Sequence, residues 1–378
     1  MPDYLYIHIP FCIKKCLYCD FFSVPYSQSS AESYVDSLCK ELTFKRNSAQ
    51  SLRAIYIGGG TPSLLSDKCF TKLFQCLRDN FLLSTDTEIT IEANPGTLDE
   101  SKVNTLISTG VNRLSVGIQS FHDNELKLIG RIHNADDAFR SIDLIRKTGI
   151  KNFSIDLMYG LPGQTSESWR ESLEKAVGLS PSHISTYELT LEENTPFYEL
   201  VKSSPPNEDL ILEMYNHAID FLAGSGYVHY EISNFALPGF KCLHNINYWN
   251  RGSYIGAGAG AHSFVNGVRT KNIADIGKYI DSPNTGLVPE MESTVITPSD
   301  ALKETIFLGL RKMDGLNVKN LYSPEFVETD KDRNLIDASA ELIDEGYLDL
   351  NGDYLRLTRK GIIISNTIII KLFEKLGL

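Results

Sequence analysis

Three cysteines stand within eight positions, in Cys12-Ile13-Lys14-Lys15-Cys16-Leu17-Tyr18-Cys19, directly after the alternating stretch Tyr4 to Ile9. Thiolates are ligands for soft metals, and an iron-sulfur cubane is usually held by four of them. Three on one short loop would leave one iron open to a ligand from outside the chain, which makes the loop a reactive site rather than a closed structural one. A structural zinc normally takes four protein ligands, and the loop offers no fourth. The remaining cysteines carry a blander reading: Cys39, Cys69 and Cys76 fall on the apolar faces of helical patterns, and Cys242 reads as a small buried residue.

A second set of polar residues shares the placement of the cysteines at the ends of short β-like runs. It comprises His8, Gly58-Gly59-Gly60-Thr61-Pro62, Glu92, Gln119, Asp156 and Tyr187-Glu188. Glycines at such a point let the backbone approach a ligand closely and take φ > 0. Glu92, Gln119, Arg131 and Asp156 supply donors and acceptors for amine, ribose and carboxylate groups. Any one of them alone serves equally well as a cap, a surface group or an ion pair.

The elements that must position these residues follow from the patterning. Strand-like runs at Leu5 to Ile9, Ala54 to Ile57, Glu88 to Glu92, Arg113 to Ile118, Phe153 to Met158 and His183 to Leu189 alternate with helical patterns. The helical patterns run from Ala31 to Phe44, Asp67 to Asn80, Asp99 to Thr109, Asn134 to Thr148 and Ser166 to Val177, with Gly110 and Gly149 where C-terminal caps belong. Such alternation predicts an α/β fold with a parallel sheet, and ligands in barrels of this kind collect at the C-terminal ends of the strands. The fold class expected is a partial (β/α)6 barrel.

With 378 residues the chain has room for one large domain and a smaller one, and its 42% hydrophobic and 22% charged content excludes neither an enzyme nor a binding protein. The net charge of −12 argues against nucleic acid as a partner. No apolar signal segment opens the chain, so a cytoplasmic location is expected. The apolar run Ile362 to Phe373 is too short to span a bilayer and reads as a packed terminal helix. The expected divisions are 1–225 for the barrel, 226–299 for an extension without clean periodicity, and 300–378 for a C-terminal module. In that module helical patterns at Asp300 to Lys312 and Asp330 to Glu345 precede alternating runs joined through Asn351-Gly352, a hairpin signal that suggests a winged-helix-like unit. Its 11 basic against 14 acidic side chains have the wrong sign for DNA.

The cysteine loop, its place after the first strand and the segments IEANPGT, VGIQSF, LIGRIH and IDLMYGLPGQT resemble the radical S-adenosylmethionine (SAM) superfamily, in its coproporphyrinogen oxidase-like branch. The resemblance runs from YLYIHIPFC to the C-terminal module. It implies a [4Fe-4S] cluster on Cys12, Cys16 and Cys19, with the amino and carboxylate groups of SAM chelating the open iron. Electrons from the cluster then cleave SAM to a 5′-deoxyadenosyl radical. It also implies that Gly59, Gly60 and Thr61 contact the SAM amino group, that Glu92, Gln119, Arg131 and Asp156 hold the rest of the ligand, and that Tyr6 and Tyr18 flank cluster and SAM.

Two activities compete within that branch. One is the oxygen-independent coproporphyrinogen III oxidase, which turns propionate side chains into vinyl groups during haem synthesis. The other is that of the HemW-type haem chaperones. The chain departs from the oxidase pattern at Phe21, where oxidases continue with a further cysteine, and in a first strand that begins at residue 4. It matches the chaperone pattern in His244-Asn245-Ile246-Asn247-Tyr248-Trp249, an H-N-x-x-Y-W motif associated with haem binding. Imidazole is a common axial ligand of haem iron and aromatic neighbours can pack on a porphyrin face. The function expected is a haem chaperone with a SAM-ligated cluster, whose partners are haem, an acceptor protein and an electron donor, with neither nucleic acid nor a membrane span.

Overall fold

Residues 2–49, 51–202, 207–282, 289–322 and 335–378 are described by the computed structural model. Six strands carry the predicted alternation: β1 (Tyr4–Ile9), β2 (Ser51–Gly59), β3 (Leu82–Ala93), β4 (Arg113–Gln119), β5 (Phe153–Tyr159) and β6 (His183–Glu188). Each pairs in parallel with the next. The intervening helices, Gln28–Lys45, Asp67–Asn80, Glu100–Ser108, Ala135–Lys147 and Ser166–Gly178, cover the outer face. Asp67–Asn80 shows why the sequence chooses helix there. Ser66 caps it, and Cys69, Phe70, Leu73, Phe74 and Leu77 recur at three- and four-residue spacing and are all buried. Each large side chain so buried contributes about 1.5–3 kcal/mol. Gly110 and Gly149 follow their helices with φ of 102° and 82°, the conformation a C-terminal cap favours.

Strand periodicity sorts the side chains between two faces. Leu5, Ile7 and Ile9 are fully buried between sheet and helices, whereas Tyr6 and His8 alternate with them toward the inside of the curve. The inner face is polar all the way round, with Glu92 on β3, Ser115 on β4, Asp156 on β5 and Ser185 on β6. A barrel that existed only to be packed would fill this space with branched apolar residues.

The sheet extends beyond the six units. β7 (Val228–Glu231) and β8 (Asn234–Ala236) form a hairpin that continues β6 antiparallel, and β9 (Ile255–Ala257) adds a seventh parallel strand on the other side of β1. The order is β9-β1-β2-β3-β4-β5-β6-β8-β7, nine strands whose two edges are not paired with each other among the described residues. The barrel is partial and open.

One buried ion pair ties β9 and its following loops to the first helix. Glu41 is fully buried; its Oε1 lies 2.7 Å from Lys45 Nζ and accepts Asn272 Nδ2 at 2.7 Å, and its Oε2 accepts Gly258 N at 2.8 Å and the Tyr279 hydroxyl at 2.5 Å. Every lone pair of that carboxylate is used, and its removal leaves the buried Lys45 ammonium with only the Gly256 carbonyl at 2.7 Å and takes an acceptor from Asn272, Gly258 N and Tyr279. Glu41→Ala should therefore cost about 3–5 kcal/mol in chemical denaturation; a loss below about 1 kcal/mol would mean that the network does not anchor β9.

The C-terminal segment begins with the helix Pro298–Gly309 and continues through Leu335–Asp344, the hairpin strands Leu348–Asn351 and Tyr354–Leu357, and two closing helices, Arg359–Ile363 and Ser365–Leu376. Residues 330–334 of the second predicted helix lie outside the described residues. The hairpin forms as expected, with its turn one residue later: Asn351 pairs with Tyr354, so Gly352 and Asp353 are the central residues and Gly352 takes φ 60°. The terminal helix buries Ile368, Ile369, Leu372 and Leu376. No described helix is long and apolar enough to cross a membrane.

Candidate functional site

The cysteine loop is closed at its base and pinned in its middle. Phe11–Cys12 pairs with Val24–Pro25, Val24 N donates to Pro10 O at 2.7 Å and Tyr26 N to Cys12 O at 2.9 Å. Farther along, Leu17 N donates to Ile129 O and Leu17 O accepts from Phe197 N, both at 3.1 Å. Cys12, Cys16 and Cys19 are left half-exposed. They face a cavity of about 360 Å³ at the C-terminal ends of the strands.

The same cavity is lined by Tyr18, Gly59, Gly60, Thr61, Glu92, Gln119, Arg131 and Asp156. The structure thus brings together eleven of the thirteen residues to which the resemblance gives a role in holding cluster, SAM or haem, and Tyr187 with them. Thr61 Oγ1 lies 3.7 Å from Cys12 Sγ, and Arg131 Nη1 lies 3.5 Å from Cys16 Sγ. Arg131 is held by donating to Asn94 Oδ1 at 2.7 Å and to the Gly117 carbonyl. Burial pushes the Cys19 thiol above its ordinary range. Among the described residues no three His, Cys, Asp or Glu side chains converge on a point where one ion would sit. A cubane held here would spread the three thiolates over three separate irons.

Two backbone features shape the wall. Gly59 has φ 113°, and a Cβ there would come within 2.5 Å of the His8 ring. The β4–β5 register shifts between Gly117 and Gln119, and Gln119 takes φ 72°, a left-handed conformation that non-glycine residues rarely adopt. Side chains held this way cluster at ligand sites.

The carboxylates occupy contrasting settings. Glu92 accepts the Tyr56 hydroxyl at 2.8 Å and Gly59 N at 3.1 Å. Burial, helped by the negative Asp156, pushes its carboxyl up to about 7. Asp156 accepts from three serine hydroxyls, Ser185 at 2.7 Å, Ser115 at 3.0 Å and Ser154 at 3.1 Å. Burial raises its pKa even so. Such a pair is poised to receive a cationic ligand, whose charge would return Glu92 to its ionised form. Glu92→Gln removes the burden of burying a charge: between about 4.5 and 7 the folded state holds a proton that the unfolded state has lost, so wild-type stability falls as pH rises through that window. The variant should escape this fall, gaining on the order of 1–3 kcal/mol relative to wild type above pH 7. A melting series across pH checks it, and parallel curves for the two proteins would refute it.

Tyr6 and His244 are placed elsewhere. Tyr6 lies behind the cavity wall, its hydroxyl 3.0 Å from His8 Nδ1 and its ring against Tyr56. His244 sits on the helix Leu243–Trp249, only 1% exposed, with its ring 5.0 Å from Tyr56, 6.1 Å from Tyr6 and 4.5 Å from Tyr248. Neither ring nitrogen has a hydrogen-bond partner among the described residues. Sequence reasoning missed Tyr56, Asn94, Ser115, Gly117 and Met158 in the cavity wall. Asn94, Gly117 and Met158 lie inside segments already quoted for their resemblance, each two residues from Glu92, Gln119 or Asp156, and were within reach.

Comparison with known proteins agrees with this geometry. Residues 6–176 match the family model of the radical SAM superfamily, and residues 296–364 that of the HemN C-terminal domain. The fold superposes on the crystal structure of Escherichia coli coproporphyrinogen III oxidase (HemN), a radical SAM enzyme, with a TM-score of 0.85 and 24% identity, covering 98% of this chain and 90% of that one. The likeness establishes a common fold. Sequence kinship decides the branch: heme chaperone HemW of Lactococcus lactis is 37% identical over 99% of this chain and 97% of its own length, and that of Escherichia coli is 36% identical over 97% of both. The chain belongs to the HemW family. As a radical SAM family, HemW works with a [4Fe-4S] cluster and SAM, and these are the chain's cofactors.

Proposed function

We propose that this protein is a haem chaperone that binds haem and passes it to an acceptor protein in the cytoplasm, with an electron donor serving its cluster. The observation that carries the reading is His244, an imidazole sealed inside the protein with two unpartnered nitrogens at the head of the H-N-x-x-Y-W segment. Buried polar groups without partners are rare and call for an explanation. Burial, with the nearby Arg113 cation, lowers its pKa to about 3, so the ring stays neutral, the form in which imidazole ligates iron. At 1% exposure it reaches a haem only if the seven-residue helix Leu243–Trp249 leaves its seat.

The cavity residues fit cluster and SAM. Cys12, Cys16 and Cys19 would hold three irons and leave the fourth for the amino and carboxylate groups of SAM, with Gly59, Gly60 and Thr61 beside the amino group. Glu92, Gln119, Arg131 and Asp156 would orient the remainder, and Tyr18 would flank the cluster. Tyr6 would act from behind Tyr56. When bound, cluster and SAM supply one-electron chemistry; the protein's part is to position them and limit solvent access. Phe21, 67% exposed, lines this cavity where oxidases carry a further cysteine.

Anaerobic titration of the reconstituted protein with haem tests the reading. A saturable Soret band at about one haem per chain, retained through gel filtration, is expected, as one axial imidazole per chain implies. Haem that elutes free of the protein would reject it.

A further inference from the structure

The helices Gln28–Lys45 and Asp67–Asn80 pack side by side on the outer face. Asp36, Cys39 and Thr43 follow one another at three- and four-residue spacing on the first, and Lys72, Cys76 and Asn80 at four-residue spacing on the second, so each set lies on one helical face. Asp36 forms an ion pair with Lys72 at one end of the seam between them. Cys39 and Cys76 meet in its middle. The Cys76 thiol donates to the Cys39 carbonyl at 3.4 Å, and the two thiols are close enough to share a hydrogen bond. Toward the other end Asn80 Nδ2 lies 3.5 Å from Cys76 Sγ, and the Thr43 hydroxyl donates to the Cys39 carbonyl at 2.9 Å.

These contacts fix the register of the two helices and hold the thiols facing each other. Of the cysteines outside the loop at 12–19, Cys69 and Cys242 are buried, whereas Cys39 and Cys76 are half-exposed and within reach of a small oxidant. Neither belongs to the cavity of the cofactors.

The two sulfurs are not equivalent. Hydrogen bonds to Cys76 from Cys39 and Asn80 outweigh its burial and hold its thiol below the ordinary range. The Cys39 thiol, which supplies the proton of the shared bond, is pushed up. The thiolate is the nucleophile in thiol oxidation, so Cys76 is the sulfur that reacts first.

We propose that Cys39 and Cys76 form a redox-active dithiol that hydrogen peroxide closes to a disulfide between the two helices. The Cys76 thiolate attacks one peroxide oxygen, the O–O bond breaks, and the departing hydroxide takes up the proton Cys76 gave away, which leaves a sulfenic acid on Cys76. The Cys39 sulfur then attacks the Cys76 sulfur. The S–S bond forms, the S–O bond breaks, and the hydroxide leaves with the Cys39 proton as water. The pair of thiols is oxidised and the peroxide is reduced to two waters. The bond ties the helix that follows the cysteine loop to the helix that follows the turn at 58–61, and it spares Cys76 the irreversible step to the sulfinic acid.

Peroxide treatment of the full-length reconstituted protein, followed by alkylation, digestion and mass spectrometry, tests the assignment. The wild type should yield a peptide containing Cys39 linked to one containing Cys76. Both thiols should be lost to the alkylating agent together and regained together after dithiothreitol. Cys39→Ala should leave a sulfenic acid on Cys76 that dimedone traps, and Cys76→Ala should leave Cys39 unoxidised at the same dose, each variant starting from wild-type iron content. Wild-type protein in which both thiols stay alkylatable, or in which either links to a third cysteine, overturns the proposal without any variant having to fold. A sulfenic acid trapped on Cys39 in Cys76→Ala overturns the assigned order of the sulfurs.

Discussion

Cys16→Ala should strip the protein of its iron while leaving its fold intact. Anaerobic reconstitution of the wild type is expected to give about four irons and four sulfides per chain, the stoichiometry of a cubane; the variant should fall to background. With two thiolates left, two irons would lack protein ligands and a cubane would not persist. Cys16 is half-exposed and the loop around it is held by backbone hydrogen bonds at Leu17, Val24 and Tyr26, so the apo protein should lose no more than about 0.5 kcal/mol, as for an ordinary surface change. Cys39→Ala, on the outer helices, should keep full iron. Added SAM should alter the EPR spectrum of the reduced wild-type cluster and have nothing to act on in Cys16→Ala. A variant with wild-type iron content would show that the three cysteines do not hold the cluster.

His244→Leu should separate function from stability. The imidazole buries two nitrogens without partners, and an unsatisfied buried polar group costs about 1–3 kcal/mol. Leucine fills a similar volume among Tyr6, Tyr56 and Tyr248 without that cost, so the melting temperature should hold or rise. Haem affinity should fall by about a hundredfold or more, since even losing a group that merely supports a metal ligand costs ten- to a hundredfold. A pH series adds an independent sign. The folded wild type keeps His244 neutral down to about 3, while the unfolded chain takes up a proton near 6.5. The unfolded state therefore binds more protons in this window, and wild-type stability falls as pH drops from about 6.5 toward 3. The variant should lose less over that range. Unchanged haem affinity together with a lower melting temperature would make His244 a structural residue.

The parts of this site that are legible in sequence are those whose chemistry is local. Cys12, Cys16 and Cys19 share a loop, Gly59, Gly60 and Thr61 share a turn, and Glu92, Gln119 and Asp156 mark strand ends that alternation already locates. Ser115, Ser154 and Ser185 are different. Each is a small hydroxyl inside a strand, with nothing to set it apart until parallel register gathers all three around Asp156. Tyr56 reads as an ordinary strand aromatic and becomes part of the wall only because β2 lies beside β1 and β3. The strand β9 escapes for another reason: three residues amid Gly252, Gly256, Gly258 and Gly260 offer no period to count. The position of His244 was out of reach because a seven-residue helix with aromatic residues on two sides does not declare which face is buried. That ambiguity is itself informative, since the structure resolves it by burying His244 against Tyr6 and Tyr56 and turning Asn245, Tyr248 and Trp249 toward a cavity.

The central claim is that a radical SAM fold here serves haem handling rather than oxidative decarboxylation of a porphyrinogen. Anaerobic incubation of the reconstituted protein with SAM, reductant and coproporphyrinogen III, alongside a haem-retention assay on the same preparation, tests it most directly. The account predicts retained haem at about one per chain, from the single His244 ligand, with no release of carbon dioxide and no vinyl product. Carbon dioxide release with vinyl formation from coproporphyrinogen, and no haem retained, would contradict it.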